Sequence, residues 1–266
     1  ELLTMVGFSS CLNSVDDGFR VWGGYFEVNN TYGSVNFVDP TGIQLVPNKT
    51  IIDAPASSAL AYINYQYKDD DMAQIEQTKK LPVTLLQDPV YLKRLDCLTT
   101  TLPEETKTVS IYSLGERDAL VWGNNKYLIL APTILLKKGT TSENLSTELL
   151  NHRLTLYYLS AEGDEDANTL KLYLRYEISG IGGSSTEETD DKESWASDYN
   201  VRYTNVSHVN LQPIISMYKS THSGSEPEKI TVEYEYNNST SSIPTIAKKQ
   251  TKTVTYNLYT ETSSNN

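Results

Sequence analysis

Short apolar runs of strand length, broken by turn residues, recur along almost the whole chain, and helical periodicity is scarce. Residues 20–28 (RVWGGYFEV) and 31–39 (TYGSVNFVD) flank Asn29-Asn30, a tight-turn pair because Asn tolerates positive φ. Asp39-Pro40-Thr41-Gly42 predicts a second turn, residues 42–46 a short strand, and Pro47-Asn48-Lys49 a third turn. Residues 59–67 (ALAYINYQY) alternate cleanly. Leu60, Tyr62, Asn64 and Gln66 share one face, and Ala61, Ile63, Tyr65 and Tyr67 share the more apolar one. Asp69-Asp70-Asp71 ends that strand, and strands at 81–86 and 90–98 follow. Short strands in this number without a long helix predict a small closed barrel of the OB type.

Residues 99–106 (TTTLPEET) interrupt the periodicity with polar residues and a proline, as a linker does. Beyond them, strand patterns lie at 108–114, 119–122, 127–136, 153–160, 169–178, 201–206, 209–218, 230–236 and 253–259. Leu170, Leu172, Leu174 and Tyr176 fall on one face, with Lys171, Tyr173, Arg175 and Glu177 on the other. Such a series predicts a β-sandwich. The one helical candidate is residues 143–150 (ENLSTELL), capped by Ser142. The fold class expected is therefore mainly β: an OB-like β-barrel at 19–98, a linker at 99–106 and a β-sandwich at 107–266, after a tether at 1–18.

Composition supports this reading. Of 266 residues, 19 are Tyr against 4 Phe and 3 Trp, and Thr, Val and Ile are plentiful, which suits pleated, half-buried surfaces. The formal charge of −12 would repel a polyanion, so nucleic acid is excluded as an expected partner.

The first residues change the picture more. Leu2, Leu3, Met5, Val6 and Phe8 form a short apolar run that leads into Phe8-Ser9-Ser10-Cys11. Small residues before a cysteine, at the end of an apolar segment, are what a bacterial lipoprotein signal peptidase requires, and the freed thiol takes a diacylglycerol. Residues 1–18 thus read as a signal remnant and tether, with Cys11 the lipidation site. The run is too short for a transmembrane helix, which needs about 20 apolar residues. A triacylated cysteine anchors firmly, at ~0.8 kcal/mol per buried methylene. With Cys11 lipidated, Cys97 is left alone in a strand-like run and is expected to pack as a small apolar residue.

With the lipobox cysteine, the acidic tether reaching Asp16-Asp17-Gly18-Phe19, the stretch 17–24, the alternating strand 59–67 and the runs 108–114 and 125–130, the chain resembles the NigD-like lipoproteins of Gram-negative anaerobes. The resemblance implies an N-terminal OB-like domain, a C-terminal β-sandwich, a lipid anchor and an envelope location. It carries no catalytic motif.

Catalytic grammar is sparse. His152, His208 and His222 lie at no metal-ligand spacing, and neither H-E-x-x-H nor C-x-x-C occurs. No G-x-S-x-G elbow or P-loop is present. Asp164-Glu165-Asp166-Ala167-Asn168 starts like a calcium loop, but Thr169 stands where the loop needs Gly and Arg175 where it needs Glu. That segment reads as a solvated hairpin turn. No catalytic residue, no metal and no cofactor is expected.

One loop stands out. Residues 180–199 (GIGGSSTEETDDKESWASDY) pass from Gly/Ser-rich to acidic and hold a lone Trp195. Loops of this length are functional or disordered. Trp195 is the candidate partner contact, with folding back onto the sandwich as the alternative. The expected protein is thus a non-enzymatic, lipid-anchored binding or accessory module of the outer membrane or cell surface, with a protein or glycan ligand. The alternative is a fimbrillin-like surface subunit that donates residues 252–259 as a strand.

Overall fold

Period-2 alternation builds the first unit. The computed structural model describes residues 18–31, 33–160, 168–181, 198–237 and 249–260. The chain divides into two units, residues 1–94 and 95–266. In the first, the strands are β1 (Phe19–Thr31), β2 (Ser34–Val38), β3 (Gln44–Pro47), β4 (Leu60–Lys68), β5 (Lys80–Leu85), β6 (Val90–Tyr91) and β7 (Lys93–Arg94), with a short helix α1 (Ile75–Thr78) before β5.

Hydrogen bonding runs β1-β2-β3-β5-β4 and returns to β1, so the sheet closes into a barrel, and β6 adds beside β4. Closure depends on the length of β1. Its first part pairs with β4, from Phe19↔Lys68 to Glu27↔Leu60, and its last part with β2, from Glu27↔Val38 to Thr31↔Ser34. β3 and β5 run parallel, Gln44 opposite Lys80, and the other pairings are antiparallel. Phe26, Val35, Phe37, Leu45, Ala61, Ile63, Tyr65, Leu81 and Val83 fill the interior. The face of β4 that carries Ala61, Ile63 and Tyr65 is the buried one, as its alternation predicts. This is the OB-like barrel.

The first hairpin differs from expectation. Asn29 and Asn30 are paired strand residues, opposite Asn36 and Val35, and the chain reverses after Thr31 at Gly33. Gly33 holds φ at +77, which glycine adopts without the penalty of a Cβ. The turn at residues 39–42 is where it was predicted. The Asp39 carboxylate accepts the N–H groups of Thr41 and Ile43, both at 2.8 Å, and Gly42 sits at φ +88.

In the second unit the elements are β8 (Asp96–Leu98), β9 (Ala119–Trp122), β10 (Tyr127–Leu130), β11 (Thr133–Lys137), α2 (Leu145–Leu149), β12 (His152–Tyr158), β13 (Thr169–Ile178), β14 (Tyr199–Thr204), β15 (Ser207–Asn210), α3 (Gln212–Thr221), β16 (Lys229–Tyr236) and β17 (Gln250–Asn257). A mixed sheet runs β17-β16-β13-β12-β8, β15-β10-β9 form a second ladder, and β11 pairs with β14. Leu170, Leu172, Leu174 and Tyr176 of β13 share one core with Leu128 and Leu130 of β10, Ile134 and Leu136 of β11, and Ile214 and Tyr218 of α3. Each buried leucine contributes ~1.5–3 kcal/mol. The chain is mainly β, an OB-like barrel followed by a β-sandwich.

Four boundaries are corrected. Residues 96–98 were expected to end the barrel and 99–106 to link the domains. Instead β8 lies parallel to β12, Cys97 opposite Leu156, so the second unit begins at Leu95. Residues 209–218 were read as a strand, but β15 stops at Asn210 and α3 follows. Leu211, Ile214, Ile215 and Tyr218 recur with helical spacing, Pro213 sits in the first turn, and Asn210 Oδ1 accepts the Gln212 N–H at 3.0 Å. Pro132 splits the run at 127–136 into β10 and β11. Residues 108–114 make isolated bridges through Val109, Ile111 and Ser113. Tyrosine hydroxyls fasten the end of that segment, Tyr234 to the Leu114 carbonyl at 2.8 Å and Tyr256 to the Gly115 carbonyl at 3.1 Å. The helix expected at 143–150 is present as α2. Asn144, not Ser142, precedes it as cap residue, with no side-chain cap bond to the helix. β17 pairs along its full length with β16 in its own sheet, from Lys229↔Asn257 to Tyr236↔Gln250.

Candidate functional site

Cys11 and Trp195, the two residues singled out from the sequence, lie outside the described residues, as do Asp164, Glu165 and Asp166. Among the described residues no group of three His, Cys, Asp or Glu side chains is placed to hold a metal ion. The three histidines have separate settings. His208 is buried with its ring edge-on to Tyr127, 5.8 Å between centroids. His222 stacks on Tyr218 at 3.8 Å.

His152 is different. Glu148 near the end of α2 and His152 at the start of β12 are four residues apart, and the Glu148 carboxylate meets His152 Nε2 at 2.8 Å. His152 Nδ1 bonds the hydroxyl of Tyr176, which sits on the core face of β13. Together they place a carboxylate, an imidazole and a hydroxyl in a line. The Nε2–H donates to the Glu148 carboxylate, and the Tyr176 hydroxyl shares the hydrogen bond at Nδ1. Burial alone would raise the Glu148 pKa, but the hydrogen bond from His152 and the Lys137 N–H at 3.0 Å outweigh it and hold the pKa below its usual value. Burial, with Tyr199 and the negative charge of Glu148 nearby, pushes the Tyr176 hydroxyl well above its ordinary range.

A carboxylate–imidazole–hydroxyl series resembles the relay that activates a nucleophile. Here the hydroxyl belongs to a tyrosine that is 1% exposed, in the middle of the core. A substrate cannot reach it. The series acts instead as a strut that ties α2 to β12 and β13.

The strut stands beside both ends of residues 182–197, the larger part of the acidic stretch singled out from the sequence, which lie outside the described residues. The chain leaves β13 through Ser179, whose N–H donates to Asn151 at 2.8 Å, and returns at Asp198, whose carbonyl accepts the Lys138 N–H at 2.5 Å. Tyr199, the first residue of β14, packs edge-on to the His152 ring at 6.0 Å. Ser179 and Asp198, on either side of residues 182–197, are therefore fixed to the same framework. The sequence singled out the loop and missed this base. The i, i+4 pair Glu148 and His152 at the end of a helical pattern was the available signal.

A second polar cluster lies on the opposite face of β13 and β16. Arg175 Nη2 donates to Glu233 at 2.8 Å, and Lys171 sits 3.6 Å from the same carboxylate. Lys249 Nζ donates to the Glu105 carbonyl at 2.6 Å, to Thr108 Oγ1 at 2.7 Å and to both Glu235 oxygens at 3.3 Å. Burial lowers the Lys249 pKa, against the opposing pull of Glu235. Every charge in this cluster has an opposite neighbour, so it braces the sheet.

Cys97 is partly buried against the core, as expected of a small apolar residue, and burial pushes its thiol up to about 12. In a Cys11→Ala chain, where Cys97 is the remaining thiol, iodoacetamide at about pH 8 should label the folded protein at least ~100-fold more slowly than the urea-unfolded one, because the thiolate is the reacting form. Equal rates would mean that the thiol is open to solvent.

No protein-family model and no curated protein matches the chain. Solved structures do. A candidate lipoprotein from Bacteroides fragilis NCTC 9343 aligns with a TM-score of 0.67 at 22% identity, over 91% of this chain and 99% of its own. A protein of unknown function from Bacteroides vulgatus ATCC 8482 aligns at 0.53 and 13% identity, over 90% and 92%. The similar structures also include a NigD-like immunity protein from Bacteroides caccae ATCC 43185, at 0.46 and 12% identity, over 85% and 90%. The likeness is one of fold. The Bacteroides fragilis protein shares the fold along nearly its whole length.

Proposed function

We propose that this chain is a lipid-anchored protein of the bacterial envelope, and that its two β units form a non-enzymatic binding or accessory module. The carrying observation is the position of the lipobox relative to the fold. Cys11 stands eight residues ahead of Phe19, where β1 opens the barrel. A processed, acylated cysteine belongs at that place, upstream of the first folded strand. The shared fold with a protein named as a candidate lipoprotein supports the same reading. Outer-membrane or cell-surface residence is part of the same proposal, and the acidic body suits a protein or glycan partner better than a polyanion. The non-enzymatic reading is supported by the burial of the Tyr176 hydroxyl in the relay-like series.

The test is metabolic labelling with palmitate followed by membrane fractionation. The full-length protein should take up label and sediment with membranes. The Cys11→Ala chain should lose both the label and the membrane location. An unlabelled wild type whose location is unchanged by Cys11→Ala would refute the anchor.

A further inference from the structure

One end of the barrel exposes apolar side chains that its core does not use. At the start of β1, Phe19, Val21 and Trp22 are 40%, 61% and 38% exposed, whereas Phe26 further along the same strand is buried. The end of β4 and the turn at Asp69–Gln74 border this rim. The Asp69 N–H donates to the Gly18 carbonyl at 2.9 Å, and Arg20 pairs with the Asp69 carboxylate at 2.9 Å. Met72 in that turn is 46% exposed. The Trp22 indole is held in place by a bond from Nε1 to the Tyr67 hydroxyl at 3.1 Å. The Lys68 ammonium lies 5.6 Å from the centroid of the Phe19 ring.

This rim carries Phe19 and Val21 on one face of β1 and Trp22 with Tyr67 on the other, with Arg20 and Lys68 at its margin. Such a mixture is characteristic of side chains at a membrane–water interface, where amphipathic rings sit at headgroup level and basic stems reach outward. We infer that the rim rests on the lipid bilayer. The inference depends on the lipidation of Cys11 proposed above, because the tether supplies the geometry. Eight residues at ~3.3–3.6 Å each cannot place Phe19 farther than about 29 Å from the acylated cysteine. The end of the barrel held on this short leash is the end with the apolar rim. The intervening residues, LNSVDD after Cys11, carry only Leu12 and Val15 as apolar cover. Asp70 and Asp71 beside the rim set the lipid preference: zwitterionic headgroups are accepted, and anionic ones repel it at low salt.

The experiment uses the lipidated full chain in vesicles of phosphatidylethanolamine and phosphatidylcholine with acyl chains brominated near the headgroup. In a Trp195→Phe background, where Trp22 and Trp122 are the remaining tryptophans, fluorescence should be quenched, and most of that quenching should disappear on adding Trp22→Phe, since Trp122 is buried. Val21→Glu should also reduce the quenching while circular dichroism stays unchanged. Palmitate-labelled protein that floats with vesicles but is quenched equally with and without Trp22 would overturn the inference and leave the anchor standing. Absence of palmitate label would remove both. A dimer of the unlipidated Cys11→Ala chain that Val21→Glu dissociates would give the rim to a second copy, and that too overturns it.

Discussion

Replacing Lys249 by methionine is expected to destabilise the second unit by about 3 kcal/mol, the lower end of the ~3–5 kcal/mol that follows from breaking a buried ion pair. Lys249 and Glu235 are each 9% exposed at the side chain. Among the described residues, removing the ammonium leaves the Glu235 carboxylate with Arg175 Nε, 4.0 Å away, to offset its charge. It also takes the ammonium from Thr108 Oγ1 and the Glu105 carbonyl, which keep only the long 3.4 Å bond from the Thr108 hydroxyl to that carbonyl among the described residues. The double variant Glu235→Gln, Lys249→Met should recover most of the loss, because no uncompensated charge remains. Urea unfolding reads this as a lowered midpoint with an unchanged m-value. A loss below about 1 kcal/mol would show that the pair is solvated and contributes as little as a surface bridge.

The second large effect is expected at His152. Phenylalanine there keeps the ring and its stacking but removes both nitrogens. Tyr176 is then left with the Leu135 carbonyl at 3.5 Å, and Glu148 loses its bond from Nε2. The expected cost is ~2–4 kcal/mol, combining a lost charge-assisted bond with an under-satisfied buried hydroxyl. The variant should also change the acid limb. Glu148 has a folded pKa below its unfolded value of about 4.3. Its contribution is therefore fully present above that pH and lost as pH falls through the folded pKa. Between neutrality and about pH 3 the melting temperature of His152→Phe should fall less steeply than that of the wild type. Parallel curves would separate Glu148 from the acid sensitivity of the fold.

Much of this architecture was legible in the alternation of side chains. β4 and β13 kept the faces their sequences predict, since an alternating run that slips by one residue would turn its apolar face to water. What was lost came from features that alternation does not encode. The run at 209–218 satisfies strand and helix patterns together, and only Asn210 and Pro213, as helix-start signals, decide for α3. The pairing of β8 with β12 depends on residues far apart in the chain, so the end of the barrel was placed too late. Asn29-Asn30 is a sound turn pair by itself, yet Gly33 nearby meets the backbone demand better. At the functional level, Cys11 and Trp195 were visible as motif and oddity. Of the strut, only the i, i+4 pair Glu148 and His152 had a local signal; nothing local shows that Tyr176 of β13 meets them.

The parallel pairings bear on the order in which the chain can fold. The barrel needs nothing beyond Leu85 to close, so it can form as soon as that part of the chain is free. The large sheet cannot. Thr169 of β13 must wait for Lys229 of β16, and Asp96 of β8 for Thr155 of β12. Loop closure of that length must precede any reward from contact, which makes such sheets slow to assemble. A chain made N-terminus first would present a finished barrel and an unfinished sandwich. The interval between the two is when the apolar faces of β13 and β16 are open to aggregation or to a chaperone.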